Sequence, residues 1–227
     1  RFQQCMRSVA NEHKRDGVAA VFIQEHNLKP SLAVYLRLHA RRHYRVLWLA
    51  RYAPINGPGG KGHGTAIVIP LDSIERKPDE SADQAEARVT KSLTGSKCGR
   101  VTVVTTLVGG KPTRLVSAYA PADGSRRPDF MTNILGPHLS KRTVMSIDAN
   151  CVPDVVLDAQ RPGSTSPYDN RGANDLAIQI SKYELADVAR DQLGSGKLFT
   201  AHHTNQHGQV TRTRIDQMYA PNADGLL

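Results

Sequence analysis

Aromatic residues are scarce in this chain of 227: four Phe, one Trp and seven Tyr make up 5% of it. Its core must therefore be built mainly from Val, Ile, Leu and Ala. Cysteine is scarcer still. Cys5, Cys98 and Cys151 are odd in number, far apart and in no C-x-x-C pair. That argues against a disulfide framework, a disulfide-linked partner and a structural zinc site, and points to a reducing, intracellular compartment. No apolar run approaches the ~20 residues of a membrane span and no N-terminal signal pattern is visible, so no membrane partner is expected. No G-x-S-x-G is present, so a serine hydrolase has no support. Acid is the minority charge: 21 Asp plus Glu stand against 30 Lys plus Arg, a formal net charge of +9. That excess favours a polyanionic partner.

The apolar content is ordinary. Hydrophobic residues at 39%, with 18 glycines beside them, match a globular chain and exclude a fibrous or disordered one. Residues 2–15 read as a helix stopped by Gly17. Residues 18–23 form a short apolar run suited to a strand buried on both faces, ending in Gln24-Glu25-His26-Asn27. Pro30 precedes a helix over 31–42. Residues 44–52 and 65–71 read as strands around a glycine-rich loop, 57–64. Residues 82–93 suit a helix or, equally, part of a long surface loop. Two β-branched runs, 100–107 and 113–119, flank Gly109-Gly110, a hairpin signal. The remaining expectations are a helix over 128–139, a buried strand over 143–147, a loop over 153–170, a helix over 175–193 and a final strand over 209–219. With no internal repeat and no splitting linker, the pattern implies a single α/β domain over 1–227 with mixed sheets.

Two apolar runs end in acid: Val21-Phe22-Ile23-Gln24-Glu25 and Val144-Met145-Ser146-Ile147-Asp148-Ala149-Asn150. Ligands of α/β proteins gather at the carboxyl ends of strands, where one or two carboxylates with waters can hold Mg²⁺. Asp148 and Asn150 are two apart and so share one side of an extended chain, which suits a water held by a carboxylate and oriented by an amide. Each site taken alone also reads as a strand simply ending in a turn. Tyr119-Ala120-Pro121, followed by Arg126 and Arg127, ends a third strand, and Arg214-Ile215-Asp216 lies in a fourth.

In that order, Gln24-Glu25, Gly64-Thr65-Ala66-Ile67-Val68, Tyr119-Ala120-Pro121, Asp148-Ala149-Asn150 and Arg214-Ile215-Asp216 resemble the endonuclease/exonuclease/phosphatase superfamily of metal-dependent phosphodiesterases and phosphatases. The nearer likeness is to the endonuclease domain of non-LTR retrotransposons. It is carried by Asp148-Ala149-Asn150-Cys151-Val152, Leu157-Asp158, Leu185-Ala186-Asp187-Val188-Ala189-Arg190, Phe199-Thr200 and Thr213-Arg214-Ile215-Asp216. The resemblance implies a four-layer DNase I-like α/β sandwich: two mixed sheets face to face with helices outside. It implies Mg²⁺, with Mn²⁺ as a substitute, held by Glu25. Asp148 would align and deprotonate the attacking water, with Asn150 holding water or a phosphate oxygen. Tyr119 would sit against the phosphate, and Asp216 would orient a histidine that stabilises the pentacovalent transition state. Arg126 or Arg127 would grip the backbone of DNA. A flanking reverse transcriptase in one polyprotein and a nuclear place of action follow from the same likeness.

The chain departs from the family pattern in places. The family's Gly-Asp-Phe-Asn reads Ile147-Asp148-Ala149-Asn150, and Tyr-x-Pro-Asn reads Tyr119-Ala120-Pro121-Ala122. The family's first strand, ending in Asn, and its last, carrying Ser-Asp-His, are expected to lie outside residues 1–227. These residues alone are therefore expected to cleave poorly or not at all. The alternatives are a non-catalytic nucleic-acid-binding remnant of the same fold, and an abasic-site, RNA or small-molecule phosphoesterase. Other signals carry less. Gly60-Lys61-Gly62 lacks the following Ser or Thr of a phosphate-binding loop. His202, His203 and His207 read as a polar hairpin. His39 and His43 stand at helical spacing without the Glu of a zinc-protease helix, on what reads as a basic face.

Overall fold

The computed structural model describes residues 2–52, 64–161, 168–204 and 208–222. Most of the glycine-rich loop, part of the 153–170 loop and His207 lie outside the described residues. The chain divides into two compact units, Arg1–Tyr119 and Ala120–Leu227.

The first unit holds four layers of its own. Strands β1 (Val21–Ile23), β2 (Val46–Arg51) and β3 (Thr65–Pro70) form an antiparallel sheet in the order β1-β3-β2. Helices α1 (Phe2–Asp16) and α2 (Ala33–Tyr44) cover its outer face. Met6 and Val9 of α1 and Leu36 and Ala40 of α2 recur at helical spacing, and they pack with Val46, Trp48, Ala66 and Val68. A fully buried aliphatic of this kind contributes about 1.5–3 kcal/mol. Strands β4 (Thr94–Gly95), β5 (Val101–Val108) and β6 (Lys111–Tyr119) pair antiparallel in the order β4-β5-β6 and face the first sheet. Polar side chains pin the two sheets together. Thr102 Oγ1 donates to the Thr65 carbonyl at 2.7 Å and lies 2.8 Å from Thr65 Oγ1. Helix α3 (Ala82–Lys91) lies over β5 through Ala85 and Val89. Its N-terminus carries a full capping box, in which Ser81 Oγ accepts from Gln84 N and Gln84 Oε1 accepts from Ser81 N. Of the two readings for this segment, the helix is the one observed.

In the second unit, β7 (Thr143–Asp148) belongs to an antiparallel sheet with β9 (Leu185–Asp187) and β12 (Asp216–Pro221), in the order β7-β12-β9. A smaller sheet joins β8 (Ala159–Gln160), β10 (Ala201–Thr204) and β11 (Val210–Thr213) in the order β10-β11-β8. His202 and His203 sit exposed on the β10–β11 hairpin, as a polar hairpin requires. Helices α4 (Arg127–Asp129), α5 (Val155–Asp158), α6 (Ala173–Lys182) and α7 (Val188–Leu193) connect these strands.

Four expectations are corrected. Strand β1 has three residues, all half-buried, because it pairs on one side only at the end of its sheet. The helix over 128–139 is instead α4, a π turn (Phe130–Leu135) and a 3₁₀ turn (Gly136–His138). Pro137 has no N–H to carry an α ladder through that stretch. The helix over 175–193 breaks at Glu184, which turns left-handed at φ +56°. Leu185 and Ala186 then pair with β12, and Asp187 caps α7 by accepting from Ala189 N and Arg190 N. The final strand is two strands in different sheets, β11 and β12, separated at Arg214-Ile215.

The β5–β6 hairpin fits its sequence signal. Gly109 and Gly110 stand at φ +59° and +72°, the left-handed pair of a two-residue turn. A Cβ at Gly110 would meet nothing within 4 Å, so only the backbone resists a side chain there. Gly110→Ala should cost about 1 kcal/mol in urea denaturation, with the slope unchanged.

Candidate active site

Within the first unit, the turn after β1 carries Glu25. Ser117 Oγ of β6 donates to the Ile23 carbonyl at 3.0 Å and accepts from Gln24 Nε2 at 3.3 Å, so the ends of β1 and β6 are tied. Glu25 follows the first end and Tyr119 closes the second. Glu25 and Asn27 are both left-handed, each at φ +52°, and Glu25 is exposed. Non-glycine residues held there cost on the order of 1–3 kcal/mol each and need surroundings that enforce them. Those surroundings are His26. Its backbone N donates to the Gly64 carbonyl at 3.0 Å, and its ring lies between Trp48 and Tyr52, with centroids 5.7 and 5.0 Å away. Burial pushes the His26 imidazolium pKa down, against the opposite pull of its bond to the Arg51 carbonyl. Tyr119 is nearly buried, with the Arg100 guanidinium 5.0 Å over its ring and donating to its carbonyl at 3.2 Å.

The second unit brings three of the expected residues together. Asp148 ends β7, and Asp216 stands directly opposite it in the β7–β12 register. Asp216 therefore begins a strand where the sequence suggested the interior of one, and the antiparallel pairing is what sets the two residues side by side. Directly opposed residues have Cβ atoms about 4.5–5.5 Å apart, and like charges there repel unless a cation intervenes. Asn150 turns left-handed at φ +50°, donates its backbone N to Asp148 Oδ1 at 3.1 Å and gives its Nδ2 to the Ala120 carbonyl at 3.0 Å. Asp216 N donates to Thr200 Oγ1 at 3.0 Å, which gives the Phe-Thr motif a local role. The donors here are oxygens, the ligand type that a hard cation takes, while among the described residues no group of three or more His, Cys, Asp or Glu is gathered to hold a metal ion. Mg²⁺ is content with one or two carboxylates plus waters.

The two candidate arginines part company. Arg126 is exposed, whereas Arg127 is 6% exposed. Its guanidinium donates to the carbonyls of Pro121, Ala122, Asp169 and Arg171, so it braces the loop instead of presenting a cation. Arg171, clamped on Asp169, drops that carboxyl to about 2.

The sequence reading assigned no role to the pair that holds Asp216 in register. Arg214 and Asp158 are both fully buried and make a bidentate pair, Nε to Oδ1 at 2.8 Å and Nη2 to Oδ2 at 3.0 Å. The same guanidinium reaches Asp187 at 3.0 and 2.7 Å, and Arg190 donates to Asp158. Burial alone would raise the Asp158 carboxyl, but the two arginines outweigh it and hold it below the ordinary value. Cys151 is buried, and that burial pushes its thiol up to about 11, which disfavours the thiolate.

Solved structures share this fold. The endonuclease domain of TRAS1, a telomere-specific non-LTR retrotransposon, superposes with a TM-score of 0.55 at 14% identity, over 97% of this chain and 81% of that one. An AP endonuclease from Archaeoglobus fulgidus gives 0.55 at 14%, over 97% and 82%. The AP endonuclease LMAP from Leishmania major gives 0.56 at 8%, over 97% and 84%. No family model and no curated sequence relative matches the chain. The fold is accordingly the DNase I-like α/β fold that these endonuclease structures share.

Arg214→Met should destabilise the protein by about 3–5 kcal/mol, because it leaves Asp187 without its cation and the buried Asp158 with Arg190 alone. Arg214→Lys should recover little of it, since a point charge cannot serve two forks. The Asp158 carboxyl is lower in the folded than in the unfolded chain. Its contribution is therefore complete above an unfolded carboxylate pKa of about 3.9 and is lost as pH falls through the folded value. Denaturation midpoints below pH 4 should fall less steeply in Asp158→Asn than in wild type.

Proposed function

We propose that the protein is a DNA phosphodiesterase dependent on Mg²⁺, with Mn²⁺ as a substitute, that nicks DNA by in-line attack of an activated water. The observation that carries this reading is the pairing of Asp148 with Asp216 across β7 and β12, with Asn150 bonded to Asp148, on a fold shared with endonucleases. The +9 charge supports a polyanionic partner. The likeness to a retrotransposon endonuclease domain supports a retroelement source, a neighbouring reverse transcriptase and a nuclear place of action. Among the described residues, no helix is long and apolar enough to cross a membrane.

When bound, the cation supplies Lewis-acid activation of the scissile phosphate and neutralises the charge that develops on it. Glu25, exposed on its left-handed turn, would hold it. Asp148 aligns the attacking water and takes its proton, and the N–H of Asn150 fixes the rotamer of that carboxylate. Tyr119 borders the phosphate near the leaving oxygen, and Asp216 orients a histidine on the following strand of the family pattern. Arg126 meets a backbone phosphate, where charge and not base identity is read.

Nicking of supercoiled plasmid by the full-length protein with Mg²⁺ tests the reading. Asp148→Ala should slow it by about 10²–10⁴. Equal nicking by both proteins would sink the assigned base. DNA binding without nicking by either would make the fold a non-catalytic remnant.

A further inference from the structure

His26 makes three hydrogen bonds with three different groups. Its backbone N donates to the Gly64 carbonyl at 3.0 Å, its Nδ1 accepts from Leu28 N at 3.0 Å, and its Nε2 lies 3.2 Å from the Arg51 carbonyl. A carbonyl can only accept, so Nε2 carries the proton, and a backbone N–H can only donate, so Nδ1 is bare. The two nitrogens thus have opposite and fixed duties. One stitches the turn to its own continuation at Leu28; the other ties it to the end of β2. The residues on either side, Glu25 and Asn27, are the two held left-handed.

Gly64 is part of the same device. A Cβ built on Gly64 would lie 2.1 Å from His26 Cε1 and 2.2 Å from Nε2, so the ring packs where any other residue would place its first side-chain atom. Gly64 is not among the residues with positive φ, so the close approach of the ring, and not backbone conformation, is what demands glycine.

We propose that His26, seated on Gly64, is a positioning residue that fixes the left-handed turn presenting Glu25, and that it thereby sets the affinity of the Glu25 carboxylate for a divalent cation. The proposal rests on the reading of Glu25 as a cation ligand. Outer partners of a metal ligand commonly change affinity by about 10–100-fold when removed. The geometry also predicts which replacements succeed. Asn can put its Oδ1 where Nδ1 stands and keep the Leu28 bond, since Asn readily bonds the backbone two residues on. Ala can keep neither side-chain bond.

The test is Mn²⁺ binding, read as free Mn²⁺ by electron paramagnetic resonance, with thermal unfolding followed alongside. His26→Ala and Gly64→Ala should each raise the half-saturating Mn²⁺ concentration about tenfold or more, and His26→Asn should recover most of that loss. In the double variant His26→Ala/Gly64→Ala the clash is gone, so its affinity should equal that of His26→Ala alone instead of falling further. Amide hydrogen exchange at Leu28 should speed up in His26→Ala and Gly64→Ala and stay slow in His26→Asn. Losses that add in the double variant, or single variants with unchanged Mn²⁺ affinity and unchanged Leu28 exchange, overturn the clamp. Glu25→Gln separates the two failures. If it weakens Mn²⁺ binding while His26→Ala does not, the clamp is wrong and Glu25 stands. If it leaves binding unchanged, the cation role of Glu25 falls, and the claim that His26 sets that affinity falls with it.

Discussion

Arg214 is a full positive charge with no exposure to water, and the second unit is arranged around it. Bare burial of a guanidinium costs several kcal/mol, and only a matched set of anions makes it tolerable. Asp158 and Asp187 supply that set from two different connections, one ending α5 and one ending β9. The pairing holds the point where the chain passes from the sheet of β11 to that of β12, and from there Asp216 starts β12 opposite Asp148. A buried ion pair of this kind adds little to net stability beyond its own desolvation cost, yet removing one partner is costly. Here the arrangement secured is the meeting of two carboxylates.

The first unit solves a comparable problem without charge. Glu25 follows a turn held by the His26 imidazole, two backbone carbonyls and a glycine on which the ring packs closely. The two units therefore fix their acidic residues by different chemistry: a buried ion network in one, a tautomer-specific hydrogen-bond clamp in the other. In both, the residue that presents a carboxylate to solvent differs from the residue that holds the backbone.

That division explains what could be read in the sequence. The β5–β6 hairpin was legible because Gly109-Gly110 is a local signal for a local turn. Asp148 and Asn150 were legible because a spacing of two in an extended run is itself a geometric statement. Arg127 was not, because its four carbonyl partners come from residues 121, 122, 169 and 171, and nothing adjacent distinguishes a loop brace from a phosphate grip. Arg214 was misread for a related reason. It sits in a β-branched run that continues smoothly into Ile215-Asp216, and only its distant carboxylates break the strand there. His26 depends on partners from residues 51 and 64, so it reads locally as an ordinary turn residue. The motifs Leu157-Asp158, Leu185-Ala186-Asp187 and Arg214-Ile215-Asp216 carried the family likeness, and three of their residues form one buried network. What was recognised as a signature of activity is largely a signature of the scaffold beneath it.

If the opposed carboxylates of Asp148 and Asp216 serve one phosphodiester cleavage, they act as a unit. The direct measurement is the rate of Mg²⁺-dependent plasmid nicking by Asp148→Ala, Asp216→Ala and the double variant of the full-length protein. Groups that act as one unit give a double variant no slower than the worse single one, and that is the expected result. Losses in the double variant equal to the product of the two single losses would contradict it.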